Sequence, residues 1–235
     1  QHDEQNEEGD ALLDQPRDLG RAHESNVAAP LVKRLKFDAD KLSQSVRGVE
    51  AVASLPDPVG RVMFHRELDT GLTLKRVTQP IGVLSMIFES RPDALVQIAS
   101  LALKSGNAVV LKGGSEAAES NRILAQTIRE ATEAAGMPEG WLQLIETRED
   151  VSRLLELDDL VDLIIPRGSN EFVRYIMDNT RIPVLGHADG VCHVYIDADA
   201  DPEMAERTVV DSKTQYVAVC NAAETLLVHR DAAET

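Results

Sequence analysis

The run Ile81-Gly82-Val83-Leu84-Ser85-Met86-Ile87-Phe88 constrains the fold more than any other stretch. A strand with one wet face alternates apolar and polar residues. This run does not, so it reads as a strand covered on both faces, the signature of a parallel sheet. Parallel strands need a crossover between them, usually a helix. The chain supplies these in order. A helix is expected over 93–103, ending at Gly106, and a strand over 108–112. Gly113-Gly114 turns, and Ser115 is expected to N-cap a helix that ends near Gly136. Strands over 141–145, 160–165 and 183–185 follow, with helices over 149–156 and from about 170. This alternation predicts an α/β fold with a doubly wound parallel sheet. Aromatics are only 3% against 43% hydrophobic residues, so the core must be aliphatic. The 235 residues make one large domain or two small ones.

Residues 1–55 read as N-terminal helices, with Leu31, Leu35, Leu42, Val46, Val49 and Val52 as one face. Residues 56–78 read as a linker and a β-hairpin turning at Asp69-Thr70-Gly71. The nucleotide-binding sheet is expected over 79–190. Residues 191–235 read as the start of a further domain: a strand over 191–196, a helix over 202–214 and a strand over 225–228. A strand opening a new layer needs partners and none follow, and Gln1 stands where an initiator methionine is usual. The chain is therefore expected to be truncated.

The net charge is −16, from 24 basic and 40 acidic side chains. Nucleic acid and anionic membrane surfaces are thus poor partners. A phosphate-bearing ligand would need a local cation or a helix N-terminus. No apolar run approaches the ~18 residues a spanning helix requires, and the acidic N-terminus is no signal peptide. Cys192 and Cys220 form no C-x-x-C pair, and no cluster has zinc spacing, so no metal is expected. Two cysteines make no disulfide framework, which suits a reducing, cytoplasmic setting.

Lys112-Gly113-Gly114-Ser115-Glu116 joins a strand end to a helix start, as does Pro166-Arg167-Gly168-Ser169. Ligands of open α/β sheets bind at such ends. Two glycine corners suit a dinucleotide, although plain helix capping explains them too, and neither standard Gly-rich signature is present. Cys220 lies among small residues that would admit a substrate to a thiolate, although a lone Cys is more often a buried, inert one. Cys192 reads as core packing. Arg91 is a bidentate anion holder or a surface Arg, and His187 a ligand contact or a structural loop histidine.

Together these segments resemble one family. They are Phe88-Glu89-Ser90-Arg91-Pro92-Asp93-Ala94-Leu95, Lys104-Ser105-Gly106-Asn107, Lys112-Gly113-Gly114, Ile165-Pro166-Arg167-Gly168-Ser169-Asn170, Ile182-Pro183-Val184-Leu185-Gly186-His187-Ala188-Asp189-Gly190 and Cys220-Asn221-Ala222. In this order, from about residue 25 onward, they resemble γ-glutamyl phosphate reductases (glutamate-5-semialdehyde dehydrogenases) of the aldehyde dehydrogenase superfamily. The wording is nearest to the reductase half of Δ1-pyrroline-5-carboxylate synthase.

The resemblance implies NADPH-dependent reduction of L-glutamyl 5-phosphate to glutamate 5-semialdehyde with phosphate release, a step of proline biosynthesis. It implies Cys220 as the nucleophile that forms a thioester, with oxyanion donors at the Cys220 N–H and near Ser90 or Asn221. It implies cofactor contacts at Lys112, Gly113, Gly114, Ser115, Gly168 and Ser169. Ser115 stands where NAD-preferring relatives often carry Glu, which leaves room for a 2′-phosphate. Gly186 stands where hydrolytic relatives place a general-base Glu. Ser90, Arg91 and His187 are candidates for the substrate's phosphate or carboxylate. A homo-oligomer and a glutamate 5-kinase partner are implied for the full-length protein. Family members run to nearly twice this length, so 191–235 would be the first part of a catalytic domain and 79–190 the NADP-binding domain. Another acylating aldehyde dehydrogenase and a truncated, non-catalytic nucleotide-binding module are the alternatives.

Overall fold

The computed structural model describes residues 18–20, 32, 35–89, 91–186, 190–217 and 219–233. The chain divides into two compact units, 1–187 and 188–235.

In the first unit, helix α1 spans Ala39–Ser54. Asp38 starts it by accepting from the Lys41 N–H at 3.0 Å. The expected apolar face is only partly buried. Leu35 is buried just ahead of the helix, whereas Val46 and Val49 are exposed. The small Ser45 is the buried residue of α1 instead.

Strands β1 (Val62–Asp69) and β2 (Leu72–Val77) form the expected antiparallel hairpin, exposed along its whole length.

The sheet follows. It comprises β3 (Val83–Ile87), α2 (Pro92–Lys104), β4 (Ala108–Lys112), a 3₁₀ turn (Ser115–Ala117), α3 (Ala118–Ala134), β5 (Leu142–Leu144), α4 (Arg148–Leu154), β6 (Leu163–Pro166) and α5 (Asn170–Asp178). Strand order is β5-β4-β3-β6, and every pair is parallel. The chain steps outward from β3 to β5, then returns to the other side of β3. Ligands of such sheets sit where the order reverses, at the strands' carboxyl ends.

Alternation in the strands explains the unbroken apolar run. Leu84, Val109 and Leu111 pack on one face with Leu95, Ala99 and Ala102 of α2 and Leu124 and Ala125 of α3. Ile87 and Ile164, with Val83 and Val110, pack on the other with Val151 and Leu154 of α4 and Ile176 of α5. Both pleats are dry, so neither tolerates a charge. Each fully buried Leu or Ile contributes about 1.5–3 kcal/mol.

Three expectations change. Residues 183–185 make no strand, only an isolated parallel bridge from Val184 to Ile164. Pro183 lacks the N–H that a ladder would use, although its carbonyl accepts from Ile164 at 2.9 Å. Ser115 does not N-cap a helix by its side chain. It opens the 3₁₀ turn, and α3 begins at Ala118. The helix expected over 149–156 is shorter and earlier because Thr147 caps it.

In the second unit, β7 (Cys192–Ile196), α6 (Pro202–Thr214) and β8 (Ala223–Val228) make one right-sized crossover. Strands β7 and β8 pair in parallel, with a register irregularity between Cys192 and His193. Asp201 caps α6, accepting from Met204 N–H at 2.8 Å. No residue of α6 is buried. Among the described residues no helix is long and apolar enough to cross a membrane.

Candidate functional site

The carboxyl ends of the strands enclose a cavity of about 1070 Å³ in the first unit. Three corners build it. At the end of β3 stand Ile87, Phe88 and Glu89; at the end of β4 Lys112, Gly114, Ser115 and Glu116; after β6 Arg167, Gly168 and Ser169. Arg148, Val151 and Ser152 of α4 close one side, and Phe172 and Tyr175 of α5 another. The volume is at the upper end of the range for ligand sites, large enough for an extended molecule.

At the β4 corner, Gly113 is obligatory. A Cβ there would collide with the Asn121 side-chain amide and meet the Phe88 ring at 3.2 Å. The turn therefore lies hard against the first turn of α3, where Asn121 is buried. At the β6 corner, the Ser169 hydroxyl accepts from the Phe172 N–H at 3.2 Å and starts α5. The β5 corner carries no glycine. A reciprocal pair defines it: Asp150 N–H donates to Thr147 Oγ1 at 3.0 Å, and Thr147 N–H to Asp150 Oδ2 at 2.9 Å. Arg148 is the first residue of the helix so defined. Arg122 of α3 grips Glu146 with two nitrogens, at 3.1 and 3.0 Å, and so anchors the approach to Arg148.

The cavity is lined by three cations, Lys112, Arg148 and Arg167, and by three carboxylates, Glu89, Glu116 and Glu171. Lys112 is half-buried, and its Nζ donates to the Gly113 carbonyl at 2.7 Å. Burial holds its pKa below the ordinary lysine value; Glu116 opposes that, and the Arg148 charge adds to it. The side chains of Arg148 and Arg167 make no hydrogen bond or ion pair among the described residues. Lys112 thus feels both the Glu116 and the Arg148 charge. Arginines without an ion partner among the described residues are suited to phosphate.

In the second unit, Cys220 and Asn221 are exposed at the tip of a turn before β8. The Ala222 N–H closes the turn on the Val219 carbonyl at 3.2 Å. Cys192 lies beside it, its Sγ 3.4 Å from the Cys220 carbonyl oxygen. Both thiols are free of disulfides.

The model of the aldehyde dehydrogenase family matches residues 11–235. The chain belongs to the aldehyde dehydrogenase family. It is 65% identical to a gamma-glutamyl phosphate reductase of Acetivibrio thermocellus over 92% of this chain and 50% of that one. It is 62% identical to the protein of that name from Natronomonas pharaonis, over 87% of this chain and 46% of that one. The crystal structure of the Thermotoga maritima gamma-glutamyl phosphate reductase superposes with a TM-score of 0.88 at 37% identity, covering 95% of this chain and 54% of that one. The Saccharomyces cerevisiae structure gives 0.70 at 47% identity, covering 96% and 56%. The chain thus spans about half the length of the curated relatives it matches.

Aldehyde dehydrogenases use a nicotinamide cofactor, and the cavity fits one. It has the volume, a turn without a side chain at Gly113, and two arginines, Arg148 and Arg167, without an ion partner among the described residues. Of the residues expected to bind it, Lys112, Gly114, Ser115, Gly168 and Ser169 line this cavity, with Gly113 between them. Arg91 does not join them. It precedes α2 exposed, without capping it by its side chain. Ser90 and His187 lie outside the described residues. Cys192 is not core: it is half-buried and aimed at Cys220. Sequence reading missed Arg148, because the β5 corner has no glycine to mark it. The Thr147-x-x-Asp150 box was the available signal. Arg167 stood inside a quoted motif without a role.

Proposed function

We propose that the protein containing this chain reduces L-glutamyl 5-phosphate to L-glutamate 5-semialdehyde, releases phosphate, and prefers NADPH to NADH. The observation that carries the cofactor half is the cavity that Lys112 and Arg148 line together, with Arg148 in no ion pair among the described residues. The names of the relatives support the substrate half.

The cofactor, when bound, supplies hydride. Lys112 and Arg148 would hold a 2′-phosphate, for which Ser115 leaves room. Gly113 and Gly114 would let the backbone approach, and Gly168 and Ser169 would contact the cofactor at the start of α5. Cys220, as thiolate, attacks the acyl carbon; the carbon–oxygen bond to phosphate breaks, and a thioester remains. The Cys220 N–H and a donor at Asn221 stabilise the oxyanion. After reduction the carbon–sulfur bond breaks and the thiolate returns. Position 186 supports a phosphate acceptor rather than water: Gly186 has no carboxylate, and a Cβ there would meet Val173 at 3.0 Å. Ser90, Arg91 and His187 are assigned to the substrate's phosphate or carboxylate. A glutamate 5-kinase supplies the acyl phosphate, and the full-length protein works as a homo-oligomer.

The test uses the longest natural polypeptide containing this chain. NADP+ reduction by glutamate semialdehyde should require phosphate and vanish in Cys220→Ala. Turnover without phosphate overturns the reaction class. Turnover that survives Cys220→Ala overturns the nucleophile.

A further inference from the structure

The turn that carries Cys220 has a feature that its sequence motif does not contain. In a four-residue turn the central peptide is free to face either side, and turn types I and II differ by that flip. Here the central peptide joins Cys220 to Asn221, since Val219 and Ala222 close the turn. Two residues from β7 and its approach decide which way it faces. Cys192 brings its thiol to 3.4 Å from the Cys220 carbonyl oxygen, within reach of an S–H donor. Gly190 makes the room. A Cβ at that position would run into the same oxygen and stand 3.8 Å from the Cys220 Cβ.

We propose that Cys192 and Gly190 are positioning residues for the nucleophile: they pin the carbonyl of Cys220 and so fix the orientation of the Cys220–Asn221 peptide. A trans peptide holds its C=O and N–H on opposite sides. Pinning the carbonyl against Gly190 therefore turns the Asn221 N–H the other way. It also fixes ψ of Cys220, and with it the direction of the side chain relative to the turn.

The pairing of the strands serves this. Cys192 faces Ala223 across the ladder, but His193 faces Thr225, so one residue of β8 is skipped. Irregularities of this kind re-aim neighbouring groups and gather near active sites. Here the irregularity falls at the one pair that adjoins the nucleophile turn. A core role predicts a buried Cys192 among apolar neighbours; the residue is half-buried, and its sulfur meets a polar oxygen.

This rests on Cys220 being the nucleophile, so the experiment separates the two ideas. In the full-length natural polypeptide, kcat and KM are measured for Cys192→Ala, Cys192→Ser, Gly190→Ala and Cys220→Ala. In parallel, peptide-resolved mass spectrometry follows alkylation of Cys220 by iodoacetamide across pH. Loss of the donor in Cys192→Ala should lower kcat about fivefold, the rate equivalent of one modest hydrogen bond. KM for the nicotinamide cofactor should not move. Cys192→Ser keeps a donor and should return kcat to within about twofold of the parent. Gly190→Ala, which displaces the carbonyl itself, should lose more than Cys192→Ala. The pH profile of Cys220 alkylation should shift in Cys192→Ala and return in Cys192→Ser.

A Cys192→Ala protein with parental kcat and a parental alkylation profile overturns the proposal. So does a Cys192→Ser variant as impaired as Cys192→Ala, because packing and not donation would then matter. If Gly190→Ala fails to fold, the two Cys192 variants still decide. Turnover retained by Cys220→Ala refutes the nucleophile assignment instead, and the alkylation profiles then test the pinned peptide alone.

Discussion

The two units solve the problem of a parallel sheet unequally. In the four-stranded sheet of the first unit the strands β3, β4 and β6 are packed on both faces, and Leu111, Leu142 and Ile164 are wholly buried. The second unit has two parallel strands and one helix, and its apolar residues stand at the surface: Val191, Tyr195, Met204, Val210 and Leu226 are all about half exposed or more. Apolar content is similar in kind, but a core needs a second layer. The cavity of the first unit thus rests on a well-packed frame. The Cys220 turn rests on one parallel pair and on a few specific contacts, of which Cys192 and Gly190 are the clearest.

The largest expected effect contrasts the units directly. Ile164→Ala should destabilise the first unit by about 2–5 kcal/mol in denaturant melts. Leu226→Ala in β8 should change stability by no more than ~0.5 kcal/mol. Equal losses would break the comparison.

Next comes the cavity. Arg148→Ala should remove one charge-assisted contact and weaken NADP+ binding about 10- to 100-fold, while NAD+ binding changes little. Equilibrium fluorescence titration of both cofactors checks this. An equal loss for both would move Arg148 off the 2′-phosphate.

Thr147→Ala, which opens the box at the start of α4, should cost about 1 kcal/mol in thermal melts. It should also lower cofactor affinity, since the helix start aims Arg148. Loss of stability with unchanged affinity would separate the cap from the site.

The smallest effect has the opposite sign. The Lys112 pKa is held down in the folded chain, by burial first. The unfolded chain therefore binds that proton more tightly. The resulting cost is full at neutral pH and fades as pH climbs through the folded pKa toward the ordinary lysine value. Lys112→Met should raise Tm slightly at pH 7, lose that advantage in strongly alkaline buffer, and weaken cofactor binding. A lower Tm at pH 7 would show that the Lys112 contact to Gly113 outweighs the burial.

Much of the frame was legible in local pattern. The run 81–88 announced β3, and Gly106 and Gly136 marked helix ends within two residues. Asp201-Pro202 marked the start of α6, because capping and proline chemistry act over one turn. Short-range signals also misled. Ser115 has a capping residue's chemistry, yet Gly114 precedes a 3₁₀ turn there. Val46 and Val49 follow a helical period yet stand exposed. Residues 183–185 have strand composition, but Pro183 cannot donate. In the site, the glycine corners stood out because a backbone without a Cβ leaves a mark in sequence. Arg148 did not, because one surface Arg looks like another until the sheet order is known.

By itself the sequence determined most of the element types, the two glycine corners and the family motifs, all of which depend on residues close in the chain. Only the tertiary structure decided which corners share a cavity, since β6 returns to the far side of β3 and brings Arg167 and Gly168 toward Lys112. It alone set Cys192 against the carbonyl of Cys220, 28 positions away. Periodicity carries no information about such pairings. They follow from strand order and register, which are settled by burial summed over the whole sheet.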